Sequence, residues 1–185
     1  KNPPTDESSP VLQFVRTLIN AEKPIVAAVN GIAIGIGVTM LLHCDLVYAS
    51  EDARFQMPFV NIGLCPEAGS THILPLFMGH QKASELLLLG DMFDVNTAIS
   101  VGIVNNKVAG IDLGSVSLEV ATRIAAQPPH ATKATKGLLR ATMREQIMAA
   151  SQRENENFIP MLEGDEAKEA LTAFVEKRVP DFSKF

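Results

Sequence analysis

Lys23-Pro24-Ile25-Val26-Ala27-Ala28-Val29-Asn30-Gly31-Ile32-Ala33-Ile34-Gly35-Ile36-Gly37-Val38-Thr39-Met40 is the stretch whose reading decides the fold. Lys23-Pro24 ends the preceding element, because proline lacks an amide hydrogen and keeps its predecessor out of helical backbone. Residues 25–29 are a short continuous apolar run of β-formers and alanines, which suits a strand buried on both faces. Asn30-Gly31 is a turn signal. Beyond it Gly35 and Gly37 lead into an apolar helix over about 36–43.

Working outward, residues 1–9 read as a loop or frayed end. Val11, Leu12, Phe14, Val15, Leu18 and Ile19 recur at helical spacing, so an amphipathic helix is expected over about 10–21. Downstream, 45–49 reads as a second buried strand and 54–57 as a third. Pro58 and Pro66 bracket an irregular segment. Helices are expected over about 67–77, 80–89 and 96–101, with a strand over 103–108. From about 113 the pattern is helical, broken near Pro128-Pro129, Pro160 and Gly164. A last helix over about 165–178 carries Ala167, Ala170, Leu171, Phe174 and Val175 on one stripe. Strands alternating with helices and then a helical tail argue for an α/β fold with a mostly parallel sheet.

The chain of 185 residues is long enough to bury a core, and its 46% hydrophobic content is that of an ordinary globular protein. A net charge of −5 argues against a nucleic-acid partner, which needs a basic face. No apolar run approaches the ~20 residues of a membrane span. Cys44 and Cys65 have no metal-type spacing and are expected to be reduced, buried and structural. The chain opens on Lys1 within a polar, proline-bearing stretch, so a further N-terminal part is expected to precede it.

Two constellations carry chemistry. Gly31-x-x-x-Gly35-x-Gly37 follows a strand and opens a helix, but a dinucleotide fingerprint read from Gly35 would need glycine at position 40, which is Met. No acidic residue closes a second strand about 20 positions on, so a nucleotide cofactor is disfavoured. Two uses remain: a tight strand-to-helix turn, or backbone amides aimed at a developing negative charge. The second constellation is Glu67, in Asn61-Ile62-Gly63-Leu64-Cys65-Pro66-Glu67-Ala68-Gly69-Ser70-Thr71. An acid following proline at a helix start is explained by the helix dipole alone. Its apolar or small neighbours Ile62, Leu64, Cys65 and Ala68 suggest instead a poorly hydrated carboxyl, a better base through desolvation. None of the histidines at 43, 72, 80 and 130 pairs with a serine or cysteine in a hydrolase pattern; His43 reads as a hydrogen-bonded core residue, and Ser70 and Thr71 as cap or lining. Phe174 and Lys177 pair an aromatic with a base: core packing with a solvated lysine, or adenine stacking with a phosphate contact.

The 23–37 segment closely resembles the signature of the crotonase (enoyl-CoA hydratase/isomerase) superfamily. So do Cys44-Asp45-Leu46-Val47-Tyr48-Ala49-Ser50 and Phe174-Val175-Glu176-Lys177-Arg178. The likeness implies a spiral of ββα units, with 1–128 as the C-terminal part of that core and 129–185 as a helical tail used in trimerisation. It implies an acyl-CoA thioester as substrate, no cofactor or metal, and a homotrimer or a hexamer built as a dimer of trimers. An enolate would be stabilised by two backbone amides, of which the second maps to Ile36 and the first to an upstream segment. The hydratase branch carries glutamates at the positions of Thr39 and Phe59, and this chain has neither. Pro58-Phe59, Gly63, Pro66-Glu67 and Ser70-Thr71 look instead like the peroxisomal-type Δ3,Δ2-enoyl-CoA isomerases, whose single catalytic glutamate falls on Glu67. Phe59, Leu64 and Cys65 would then wall the acyl pocket, and Phe174 and Lys177 would contact the CoA nucleotide. A shell that binds acyl-CoA without turnover, or a thioesterase run from Glu67, is the alternative. Ser183-Lys184-Phe185 departs from the peroxisomal Ser-Lys-Leu signal; a bacterial cytoplasm is the default expectation, with a mitochondrial or peroxisomal matrix as the alternatives.

Overall fold

The computed structural model describes residues 9–185, so the loop expected over 1–9 lies, apart from Ser9, outside the described residues. Helix α1 (Pro10–Ile19) starts on a proline, whose fixed φ suits a first helical turn, and buries Val15 and Ile19. Strands β1 (Val26–Val29) and β2 (Ile32–Ile34) meet at a corner made by Asn30 and Gly31. Gly31 sits at φ +108°, a region open to glycine, and this lets the chain leave one sheet and enter another within two residues. The short helix α2 (Ile36–Thr39) follows and tightens into a 3-10 turn, Met40–His43. Strands β3 (Leu46–Ser50) and β4 (Arg54–Gln56) repeat the motif. An irregular segment with a 3-10 turn at Val60–Ile62 leads to helices α3 (Ser70–Met78) and α4 (His80–Leu88). Then come β5 (Phe93–Asp94), α5 (Val95–Ser100) and β6 (Asn106–Val108).

Consecutive strands divide between two sheets rather than extending one. The first has the order β1-β3-β6 and is wholly parallel; the second is β2-β4-β5, parallel between β2 and β4 and antiparallel between β4 and β5. This is the α/β arrangement of ββα units. It corrects the single-sheet expectation in one respect: β2 and β5 were not legible as strands. Ile32 and Ile34 point outward and only Ala33 is buried, so the run lacks the continuous burial expected of a core strand. For the same reason β1, at the edge of its sheet among the described residues, is half-buried and not sealed on both faces. The core lies between the sheets and α2–α5, where Phe55 stacks on Phe93 at 5.6 Å between ring centres and Val38, Met57, Ile73 and Leu74 are fully enclosed.

Helix α6 (Leu113–Ala125) packs on β1 and β3, and the tail comprises α7 (Pro129–Ala141), α8 (Arg144–Leu162) and α9 (Asp165–Glu176). Pro160 does not break α8: it falls in the last turn, where the missing amide costs one hydrogen bond whose acceptor is exposed to water. Lys136 of α7 is buried, yet satisfied by the Lys23 carbonyl and the Asp45 carboxylate, each at 2.7 Å. That pair ties the tail to β1 and β3, because Asp45 also accepts from the Ile25 amide. Helix α9 buries Ala170 and Ala173 and lies backbone-close to the Val60–Ile62 turn. A Cβ on Gly63 would stand 2.7 Å from the Ala167 nitrogen. Leu171, Phe174 and Val175 of the expected apolar stripe face outward.

Candidate active site

The site grows from the two ends of α2. At its start Gly35 has φ +55° and ψ −118°, a conformation for which a side chain is strained. Its amide donates to the Gln56 carbonyl at 2.9 Å, fixing the helix start on β4, while its own carbonyl accepts from Val38 and Thr39 at 2.8 and 3.0 Å. The amide of Ile36, first in the helix, has no intrahelical acceptor and bonds to nothing else among the described residues. Phe59 is buried, with a ring carbon 4.0 Å from where a Gly35 side chain would begin. The bare backbone of 35–36 and the Phe59 ring therefore share one wall.

At the other end of α2, Thr39 is fully buried and its hydroxyl donates to Oε1 of Glu67. Thr39 stands three residues beyond Ile36, about 4.5 Å of helix rise. The Glu67 carboxyl is thus held one helical turn from the free Ile36 amide, and its side chain is only 8% exposed. Burial pushes that carboxyl up to about 7; the Thr39 hydrogen bond opposes this and the nearby Glu154 charge adds to it. Near neutrality such a group is divided between its two forms, so it can take a proton and give it back.

Glu67 does not begin a helix, as the sequence suggested. Helix α3 starts at Ser70, and the residues between adopt left-handed backbone, Ala68 at φ +62° and Gly69 at φ +73°. Two consecutive left-handed residues cannot belong to a right-handed helix, so the dipole account of Glu67 as a first-turn acid does not apply. The turn is held from both sides. His43, completely buried, contacts the Ala68 carbonyl through Nε2 at 2.7 Å, which requires Nε2 to carry the hydrogen. Burial lowers its basicity to about 4, so it is a neutral donor at ordinary pH, the hydrogen-bonded core residue expected. From α8, Glu154 accepts from the Gly69 amide at 2.5 Å, the Thr71 amide at 2.9 Å and the Thr71 hydroxyl at 2.6 Å.

Several expected residues are thereby gathered: Glu67, Ile36, Phe59 and, as a partner of Glu67, Thr39. Leu64 is half-buried, its amide on the Phe59 carbonyl. Cys65 is half-buried and donates its thiol to the Glu154 carbonyl at 3.6 Å, with burial pushing its pKa up. Thr71 serves Glu154, whereas the buried Ser70 hydroxyl finds no partner among the described residues. Phe174 and Lys177 stand apart, the ring on the outward face of α9 and the lysine closing that helix at φ +55°. Glu154 was not anticipated. The signal for it was a helical stripe, Ile147, Ala150, Ser151 and Glu154, in which an acid occupies a buried position. No group of three or more His, Cys, Asp or Glu side chains is placed to hold a metal among the described residues. No described helix is long and apolar enough to cross a membrane.

A family model for Enoyl-CoA hydratase/isomerase matches residues 1–184. The 2,3-dehydroadipyl-CoA hydratase of Escherichia coli (strain K12) is 34% identical over 160 residues, covering 86% of this chain and 63% of that protein. Enoyl-CoA delta isomerase 2 of Rattus norvegicus is 36% identical over 169 residues, 90% of this chain and 42% of that protein. The crystal structure of an enoyl-CoA hydratase/isomerase from Pseudoalteromonas atlantica T6c superposes with a TM-score of 0.92 at 42% identity, covering 98% of this chain and 72% of that one. The chain therefore spans less than two thirds of the length of the first curated relatives it matches.

Proposed function

The chain belongs to the enoyl-CoA hydratase/isomerase family, and on that premise we propose that it moves the double bond of a 3-enoyl-CoA to the trans-2 position. The relatives' names include both a hydratase and an isomerase, so the choice rests on the site. The observation that carries it is the buried Glu67 carboxyl, hydrogen-bonded by Thr39 at a position where a hydratase would carry a second acid, while the neighbouring Glu154 carboxylate is engaged by the 69–71 backbone. Phe59 in place of the other acid lines the same wall with hydrocarbon, which disfavours an attacking water.

In this reading the thioester oxygen accepts from the Ile36 amide and from a second backbone amide. Each such donor lowers the barrier by about 3 kcal/mol. Glu67 breaks the C2–H bond and keeps the proton, while the electron pair spreads into a dienolate over O, C2 and C4. The carboxyl then returns the proton to C4, and the C2–C3 bond becomes double. Nothing is added or lost, so one carboxyl suffices. Assembly through the tail is supported by the outward face of α9, where Leu171, Phe174 and Val175 are 66, 80 and 72% exposed. Phe174 and Lys177 on that helix would meet the CoA nucleotide.

The test is Glu67→Gln with a 3-enoyl-CoA. Loss of the base should slow isomerisation by at least about a hundredfold while CoA-ester binding persists. Near-normal turnover would remove Glu67 from the chemistry. Release of free CoA from a saturated acyl-CoA would favour thioester hydrolysis instead.

A further inference from the structure

We infer that Glu154 is a positioning residue for Glu67: it clamps the Ala68-Gly69 turn so that the Glu67 carboxyl stays against Thr39. The inference rests on the isomerase reading for its kinetic consequence and on geometry alone for the clamp. The turn has an intrinsic tendency to relax, because left-handed backbone at φ +62° is strained for a non-glycine residue. Its next residue, Gly69, is the N-cap of α3 and has no side chain with which to cap its own helix. Glu154 supplies that cap from 85 residues away, its two carboxylate oxygens meeting the Gly69 amide, the Thr71 amide and the Thr71 hydroxyl.

A second observation ties α8 to the same turn. A Cβ on Gly69 would fall 2.9 Å from the Ile147 side chain and 3.0 Å from the Ile147 carbonyl, so α8 runs directly against the turn for two helical turns of its length. The Cys65 thiol on the Glu154 carbonyl adds a contact on the far side of Glu67. The segment carrying Glu67 is therefore gripped by α8 both before and after the glutamate. On the remaining side His43 holds the Ala68 carbonyl. Releasing Glu154 frees the turn to swing, and a misplacement of about 1 Å at a reacting group costs on the order of a hundredfold in rate.

A plain helix cap would affect stability alone, so the experiment separates the two roles. Glu154→Gln and Glu154→Ala are compared with wild type for kcat and KM on a 3-enoyl-CoA, and for amide hydrogen exchange at Gly69 and Thr71. Thr71→Val, which removes one of the clamp's donors and leaves the carboxylate, is the conservative companion. The expected result is a kcat lower by tenfold or more in Glu154→Ala, less in Glu154→Gln and least in Thr71→Val. KM should stay within about twofold, and the Gly69 and Thr71 amides should lose protection while α4 keeps its own. Variants that are less stable but retain kcat in their folded fraction would overturn the proposal. So would unchanged exchange at both amides. If wild type itself shows no isomerisation, the functional reading fails, and the exchange data alone then decide whether Glu154 holds the turn.

Discussion

Replacing Glu67 by Gln should raise the stability of the protein above neutral pH at the same time as it removes activity. The carboxyl ordinarily titrates at 4.5 and in the fold at about 7, chiefly because it is buried. A carboxyl raised on folding is neutral and harmless below its unfolded value, and the stability it leaves intact there is lost as pH rises through its folded value. At about 1.36 kcal/mol per pH unit between those two values, ionisation costs the folded state about 3 kcal/mol at about pH 8 but only about 1 at about pH 5. Gln keeps a carbonyl oxygen for the Thr39 hydroxyl and never ionises. Wild type should therefore lose about 2–3 kcal/mol relative to Glu67→Gln between those pH values, a gap of about 5–10 °C in Tm for a chain of this size. Urea denaturation of both proteins at the two pH values is the assay, since every other titrating group is common to them. A stability difference that is the same at both pH values would refute the claim that Glu67 is held dry.

Four further outcomes follow from the same geometry. The kcat/KM of wild type should climb as Glu67 ionises through about pH 7 and then level; a flat profile across that range would remove it as the base. Thr39→Val deletes a hydrogen bond that favours the carboxylate, so the inflection of that profile should move to higher pH, and an unmoved inflection would deny the contact its influence. Gly63→Ala pushes a methyl into backbone, 2.7 Å from the Ala167 nitrogen and 2.8 Å from the Glu166 carbonyl carbon, which should cost about 2–3 kcal/mol in urea; a loss below about 0.5 would mean that α9 shifts freely. His43, held neutral down to about 4 against an ordinary 6.5, stabilises fully above the higher value and loses up to about 3 kcal/mol as pH falls to the lower, a dependence that His43→Gln should flatten.

Local chemistry was legible where the relevant forces are local. The proline and glycine punctuation of 23–37 placed β1, its corner and α2, because φ restrictions act within one or two residues. The small apolar company of Glu67 in its own segment foretold a buried carboxyl. The apolar setting of His43 foretold a hydrogen-bonded core histidine. Division of the strands between two sheets was not legible, since the β2 run Ile32-Ala33-Ile34 presents its isoleucines outward. The orientation of α9 was hidden for a similar reason: small alanines, not its large side chains, face the protein.

Thr39 is the sharpest case. As a residue in a chain it registered as the lack of an acid; in space it is the hydroxyl that holds the Glu67 carboxyl from 28 positions away. Glu154 is a still longer reach, an acid on a long helix whose purpose depends on which loop that helix lies against. The order of residues by itself determined the family and the α/β class and singled out Glu67 as the acid for the proposed proton transfer, because side-chain size and backbone stereochemistry are properties of neighbours along the chain. How dry that carboxyl is, and which groups hold its turn in place, only tertiary structure decided, because desolvation and hydrogen bonding depend on atoms that distant segments bring together.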